Sequence, residues 1–121
     1  MQNRIEITEA DLLDDRLVLT SGIKDEEKRK PTGRMLADSD YFAFVYILEQ
    51  GDSFQYAILN ESIWPDMKSA LDRHIPVFLN IGKEELELEG FHAELQYLID
   101  NIKDNANYGE EMEERVKRAF L

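Results

Sequence analysis

Eight consecutive residues, Tyr41-Phe42-Ala43-Phe44-Val45-Tyr46-Ile47-Leu48, are apolar or aromatic without one charge, and no other stretch constrains the fold so tightly. In an extended chain Tyr41, Ala43, Val45 and Ile47 point one way, and Phe42, Phe44, Tyr46 and Leu48 the other. An apolar surface on both sides is what a strand buried within a sheet requires. The run is also far too short to cross a bilayer. Glu49-Gln50-Gly51-Asp52 then offers a hairpin turn, since glycine accepts positive φ without steric cost. Phe54, Tyr56 and Ile58 resume the alternation on one face, with Gln55 and Ala57 opposite, so a central hairpin anchors the sheet.

Shorter strands surround it. Ile5 and Ile7 alternate with Arg4, Glu6 and Thr8, and Leu17 and Leu19 with Arg16, Val18 and Thr20. Asp11, Asp14 and Asp15 between them supply turn chemistry, which predicts antiparallel neighbours. From Lys24 to Arg34 the chain is Lys, Arg, Asp and Glu with Pro31, Thr32 and Gly33, and it reads as an exposed loop. Ser62 is placed to cap a helix with Pro65 and Asp66 in its first turn and a stripe of Trp64, Met67, Leu71 and His74. Pro76 stops it. Val77, Leu79 and Ile81 form a strand, Gly82-Lys83 a two-residue loop, and Leu86 and Leu88 the inward face of a return strand.

The last third reads as helical. Phe91, Leu95, Leu98, Ile99 and Ile102 lie on one helix face. Asn105 suits a helix end, and Asn107 with Glu110 spells a capping box for a second helix. That helix carries a stripe of Met112, Val116 and Phe120, with Glu111/Arg115, Glu113/Lys117 and Glu114/Arg118 at i,i+4. The expected architecture is one α+β domain over residues 1–121. It is an antiparallel sheet of about six or seven strands with one inserted helix and a C-terminal helix pair packed on one face.

Residues Leu86-Glu87-Leu88-Glu89-Gly90, Asn105-Ala106-Asn107-Tyr108-Gly109-Glu110 and the closing Phe120-Leu121 carry a resemblance to the YjbL-like family. Tyr46-Ile47-Leu48-Glu49 and the Trp64 region extend it. This resemblance implies a small cytosolic protein from a Gram-positive bacterium. It implies no activity, cofactor or catalytic residue.

Charge narrows the function classes. The chain has 14 Lys+Arg against 26 Asp+Glu, a formal net charge of −12, which opposes nucleic-acid backbones and anionic membranes as partners. Cysteine is absent, so a thiolate metal site and a thiol nucleophile are excluded. The first nine residues hold no apolar signal segment, and a cytoplasmic protein is expected. Glycines stand singly at turns, with no phosphate loop and no nucleophile elbow, so no cofactor is expected.

The candidate residues each carry a plain structural reading beside a functional one. His74 and His92 invite acid–base or metal chemistry, but lack the convergent ligands of a zinc site. Glu85, Glu87 and Glu89 line one strand, where negative charge guards an edge as readily as it serves catalysis. Asp38-Ser39-Asp40 lacks the glycine and distal glutamate of a calcium loop. Trp64 fits the core stripe, yet tryptophan also anchors interfaces. Tyr108 has no packing role legible in the sequence and is read as a partner anchor. Lys24, Lys28, Arg29, Lys30 and Arg34 crowd the predicted loop, opposite an acid-rich region after Glu84. That polarity suits docking to a protein, with Lys28, Arg29 and Lys30 as its basic pole. The reading is a non-enzymatic protein-binding or regulatory module. A metabolite binder or enzyme using His92 and nearby glutamates is the second possibility. An acidic nucleic-acid mimic is the third, against which the neutralising pairs of the last helix argue.

Overall fold

The computed structural model describes residues 3–121 apart from the Ala106 side chain. The first two residues, part of the stretch read as lacking a signal segment, lie outside it. Seven strands form one sheet: β1 (Arg4–Leu12), β2 (Leu17–Ser21), β3 (Lys30–Asp38), β4 (Ala43–Gln50), β5 (Ser53–Asn60), β6 (Val77–Ile81) and β7 (Glu84–Glu87). Their order is β3-β4-β5-β1-β2-β6-β7. Three helices complete the chain, α1 (Trp64–Arg73), α2 (Phe91–Ile102) and α3 (Glu110–Phe120). The class is α+β with an inserted helix and C-terminal helices.

The sheet is mixed, which corrects the antiparallel expectation. The three hairpins β3-β4, β4-β5 and β6-β7 and the β1-β2 pair are antiparallel, but β1 runs parallel to β5 and β2 parallel to β6. Alternation of apolar residues is the same for both pairings, so the direction of non-adjacent neighbours left no trace in the pattern. The two-residue loops fall where the glycines predict. Gln50 pairs with Ser53 around Gly51-Asp52, and Ile81 with Glu84 around Gly82-Lys83. Both glycines have positive φ, 59° and 60°.

One sheet face carries the main core. Ile5, Leu17, Leu19, Phe44, Tyr46, Leu48, Leu59, Leu79 and Ile81 meet the stripes of the three helices. The aromatic rings of Phe44, Trp64 and Phe120 close a triangle with centroid distances of 5.3, 5.9 and 5.7 Å. This triangle ties β4 to α1 and α3. All five apolar residues read onto α2 are buried, as are Met112, Val116 and Phe120 of α3. The i,i+4 pairs of α3 form at 3.0, 3.1 and 3.3 Å.

Local expectations fail at two caps. Asn60 rather than Ser62 opens the turn before α1, its side chain accepting the Ser62 N–H, and His74 ends the helix exposed in a left-handed conformation. The capping box at Asn107 does not form. Asn105 accepts the Asn107 N–H at 3.0 Å in a short 3-10 turn, and Gly109, with φ 90° and ψ 144°, starts α3 without a side-chain cap. That backbone is open only to glycine, which supplies the reason the sequence lacked for Gly109.

The largest correction concerns residues 24–34. Lys30 onward is strand β3, paired with β4 through a bulge between Pro31 and Met35. Arg29, read as exposed, is 4% accessible. Its guanidinium clasps both Asp25 carboxylate oxygens at 3.0 and 2.7 Å and donates through Nε to Gln55, while its backbone N–H donates to Glu84. One arginine of a charged run is buried because its partners came with it, while the lysines and glutamates around it stay exposed.

Candidate functional site

The chemistry-bearing residues do not converge. His74 and His92 lie at opposite ends of different helices. His92 holds its ring by an Nε2 hydrogen bond to the Ile75 carbonyl at 2.6 Å, with Nδ1 enclosed and unpartnered. Asp38 accepts the N–H groups of Asp40 and Tyr41, at 3.1 and 3.3 Å, and so serves as a turn cap. Glu85 bonds Arg16 on the terminal strand β7, and Glu87 is exposed. Among the described residues no group of three or more His, Asp or Glu is placed to share a metal ion.

Of the expected basic pole, Arg29 is withdrawn and Lys28 keeps an exposed side chain. Arg29 is internal, and its hydrogen bonds hold the Asp25 carboxyl below the usual carboxylate range. Lys28 lies 3.8 Å from Glu84, and Lys83 pairs with Glu26. Lys30 stays exposed. Trp64 is fully enclosed, with its indole N–H on the Leu59 carbonyl at 3.0 Å, so it presents no rim to a partner. Tyr108 is half-buried against the core. Neither Trp64 nor Arg29 offers a docking surface, because packing and ion pairing have consumed both.

What the fold leaves open is the other sheet face. The main core takes one side of β3, β4 and β5, and the second side holds a separate cluster of Ala43, Val45 and Ile58 that includes no helical residue. Cross-strand register lays it out in rows. Leu36 pairs with Val45, Val45 with Ile58, and Ile58 with Glu6. In the next row Ile47 pairs with Tyr56, and Tyr56 with Arg4. Phe54 is 44% and Leu36 41% accessible, and Tyr41 at the rim is 69%. A hollow of about 280 Å³ opens between Arg4, Leu36, Asp38, Val45, Tyr56 and Ile58. Arg34 adjoins a second hollow with Ile47, Phe54 and Tyr56.

This face offers shape and apolar surface. Its titratable groups, Arg4, Asp38 and Glu6, flank aliphatic and aromatic surface. Exposed apolar residues gathered on one face mark interaction surfaces. Sequence reasoning had placed Arg34 in the charged loop and Phe54 and Tyr56 on a strand face, and had given no functional role to Arg4 or Leu36. The signal was present, however: β4 is apolar on both faces, while the predicted helix pair covers only one.

Comparison with known proteins yields relatives but no chemistry. A family model described as a family of unknown function (UPF0738) matches residues 5–120. A UPF0738 protein of Bacillus licheniformis is 75% identical over 121 residues, covering all of both chains. The UPF0738 protein YjbL of Bacillus subtilis is 60% identical over 122 residues, again covering both completely. A UPF0738 protein of a Geobacillus species is 43% identical over 126 residues, covering all of this chain and 99% of its own. No solved structure matches.

Proposed function

The chain belongs to the UPF0738 family of Bacillus and related Gram-positive bacteria, whose function is unknown, and we propose that it acts as a protein-binding module. The partner docks on the face of β3, β4 and β5 that no helix covers. The observation that carries this reading is the apolar cluster of Ala43, Val45, Ile58 and Tyr56, which lies outside the main core and is overlaid only by half-exposed side chains. Covering Leu36, Phe54 and Tyr41 would remove apolar surface from water at about 25 cal/mol per Å². Aromatic side chains such as these commonly anchor protein interfaces. No helix among the described residues is long and apolar enough to cross a membrane.

Photo-crosslinking in the native host tests the reading. A photoreactive phenylalanine analogue at Phe54 should give a discrete adduct with another protein, and the same analogue at Tyr97, exposed on the far side of α2, should not. Equal adducts from both positions, or none from Phe54, would contradict it.

A further inference from the structure

The uncovered face differs electrostatically from the rest of the molecule. In a chain of net charge −12, every lysine and arginine would be expected to find an acid. Among the described residues, Lys24, Lys30 and Arg34 alone make no ion pair or side-chain hydrogen bond, and two of those three lie on β3. Lys30 has Glu49 opposite it in register, outside ion-pair distance. Arg34 has only Ile47, Phe54 and Tyr56 around its hollow. At the other end of the Ile47–Tyr56 row stands Arg4, whose guanidinium lies 5.3 Å from the Tyr41 ring centre and 3.8 Å from Glu6. Two arginines therefore bracket an apolar row, roughly 14 Å apart across three strand spacings, Arg4 with Glu6 and Asp38 beside it and Arg34 without an acid.

Resting on the docking role proposed above, we infer that the occupant is a segment of a partner protein in which apolar side chains are flanked by carboxylates, one of them meeting Arg34. Charge complementarity selects this occupant. A second copy, packed face to face about a dyad, would bring together two chains of −12. Strand addition at the sheet edge is also disfavoured. On β3 the Gly33 N–H is already bound to the Tyr46 hydroxyl and the Met35 N–H to Glu94, which removes donors an added strand would need. Recognition falls to the face, through its apolar row and the arginines at its ends.

The test is selection from a phage-displayed random peptide library on the full chain. Enriched peptides should combine Leu, Ile or Phe with Asp or Glu. The best of them should lose about tenfold in affinity against Arg34→Glu, less against Arg34→Gln, and should weaken as salt rises. Arg34 is exposed and anchors nothing in the fold, and circular dichroism checks that both variants are native. Enrichment of neutral or basic peptides would overturn the acidic occupant. So would binding that survives Arg34→Glu but is lost in Phe54→Asp, which leaves the docking face itself standing. Binding indifferent to both substitutions, or no enrichment at all, would overturn the docking face together with the inference. Sedimentation showing a dimer that Phe54→Asp dissolves would replace the partner segment with a second copy.

Discussion

Tyr46 shows how a single side chain joins parts of the fold distant in sequence. Its ring is fully buried on the core side of β4, stacked 6.4 Å from Phe91. Its hydroxyl donates to the Glu89 carbonyl at 2.6 Å and accepts the Gly33 N–H at 3.1 Å. One atom thus links the β3 bulge to the entry of α2. Removing it in Tyr46→Phe leaves two backbone groups short of a partner, a loss of about 1–3 kcal/mol by urea unfolding. Burial also pushes the Tyr46 hydroxyl up to about 12 from 10.0. Between those values the folded chain keeps a proton that the unfolded chain gives up, so stability falls as pH rises. Wild type should lose about 2 kcal/mol more than Tyr46→Phe between pH 10 and 12. Parallel unfolding curves over that range would contradict the assignment. Asp25 behaves in the opposite sense. Its carboxyl is held below the ordinary 3.8 by the Arg29 hydrogen bonds, so the stability it lends is present above that value and fades as pH falls through the folded pKa. Acid unfolding should begin at higher pH when Arg29→Met removes the clasp, and Arg29→Lys should not restore it, because lysine lacks the two-pronged geometry.

At the scale of elements, α3 is the clearest test of architecture. Met112, Val116 and Phe120 are all buried, and Phe120 completes the triangle with Phe44 and Trp64. At roughly 1.5–3 kcal/mol each, truncation before Asn107 removes about 5–9 kcal/mol, the whole stability of many small domains. The shortened chain should be unfolded or aggregated by circular dichroism, and an unchanged melting temperature would make α3 a peripheral arm. Gly82 is a finer test, because a Cβ there would stand 2.7 Å from the Asp25 carbonyl oxygen as well as at φ 60°. Gly82→Ala should lower the melting temperature by displacing the Asp25–Arg29 segment, and an unshifted one would mean the segment yields freely. The helices were legible because 3.6-residue stripes and i,i+4 pairs lie within a few residues of one another. β3 was not legible. Its Pro31, Gly33 and charged residues suggest a loop locally, and it becomes a strand through β4 and through contacts to Glu84 and Glu94, more than fifty residues away.

At the scale of the whole molecule, the helices all serve one face of the sheet, and the chain's strongest strand is apolar on both. That asymmetry connects the sequence feature with the proposed activity. The candidate surface was only half readable in advance. The sequence placed Tyr41, Val45, Ile47, Phe54, Tyr56 and Ile58 on common faces, but it did not show which face the helices would leave bare. It pointed to Lys28, Arg29 and Lys30 as the basic pole, of which Arg29 is buried in an ion pair, while Lys30 and Arg34 stand unpaired beside the apolar rows. Hydroxyl-radical footprinting of the protein purified and in its native cells measures directly whether that face is occupied. Tyr41, Phe54 and Tyr56 should react readily in the purified chain and be protected in cells, with Tyr97 reacting equally in both. Equal reactivity of the four in cells and in isolation, or protection confined to Tyr97, would contradict the account.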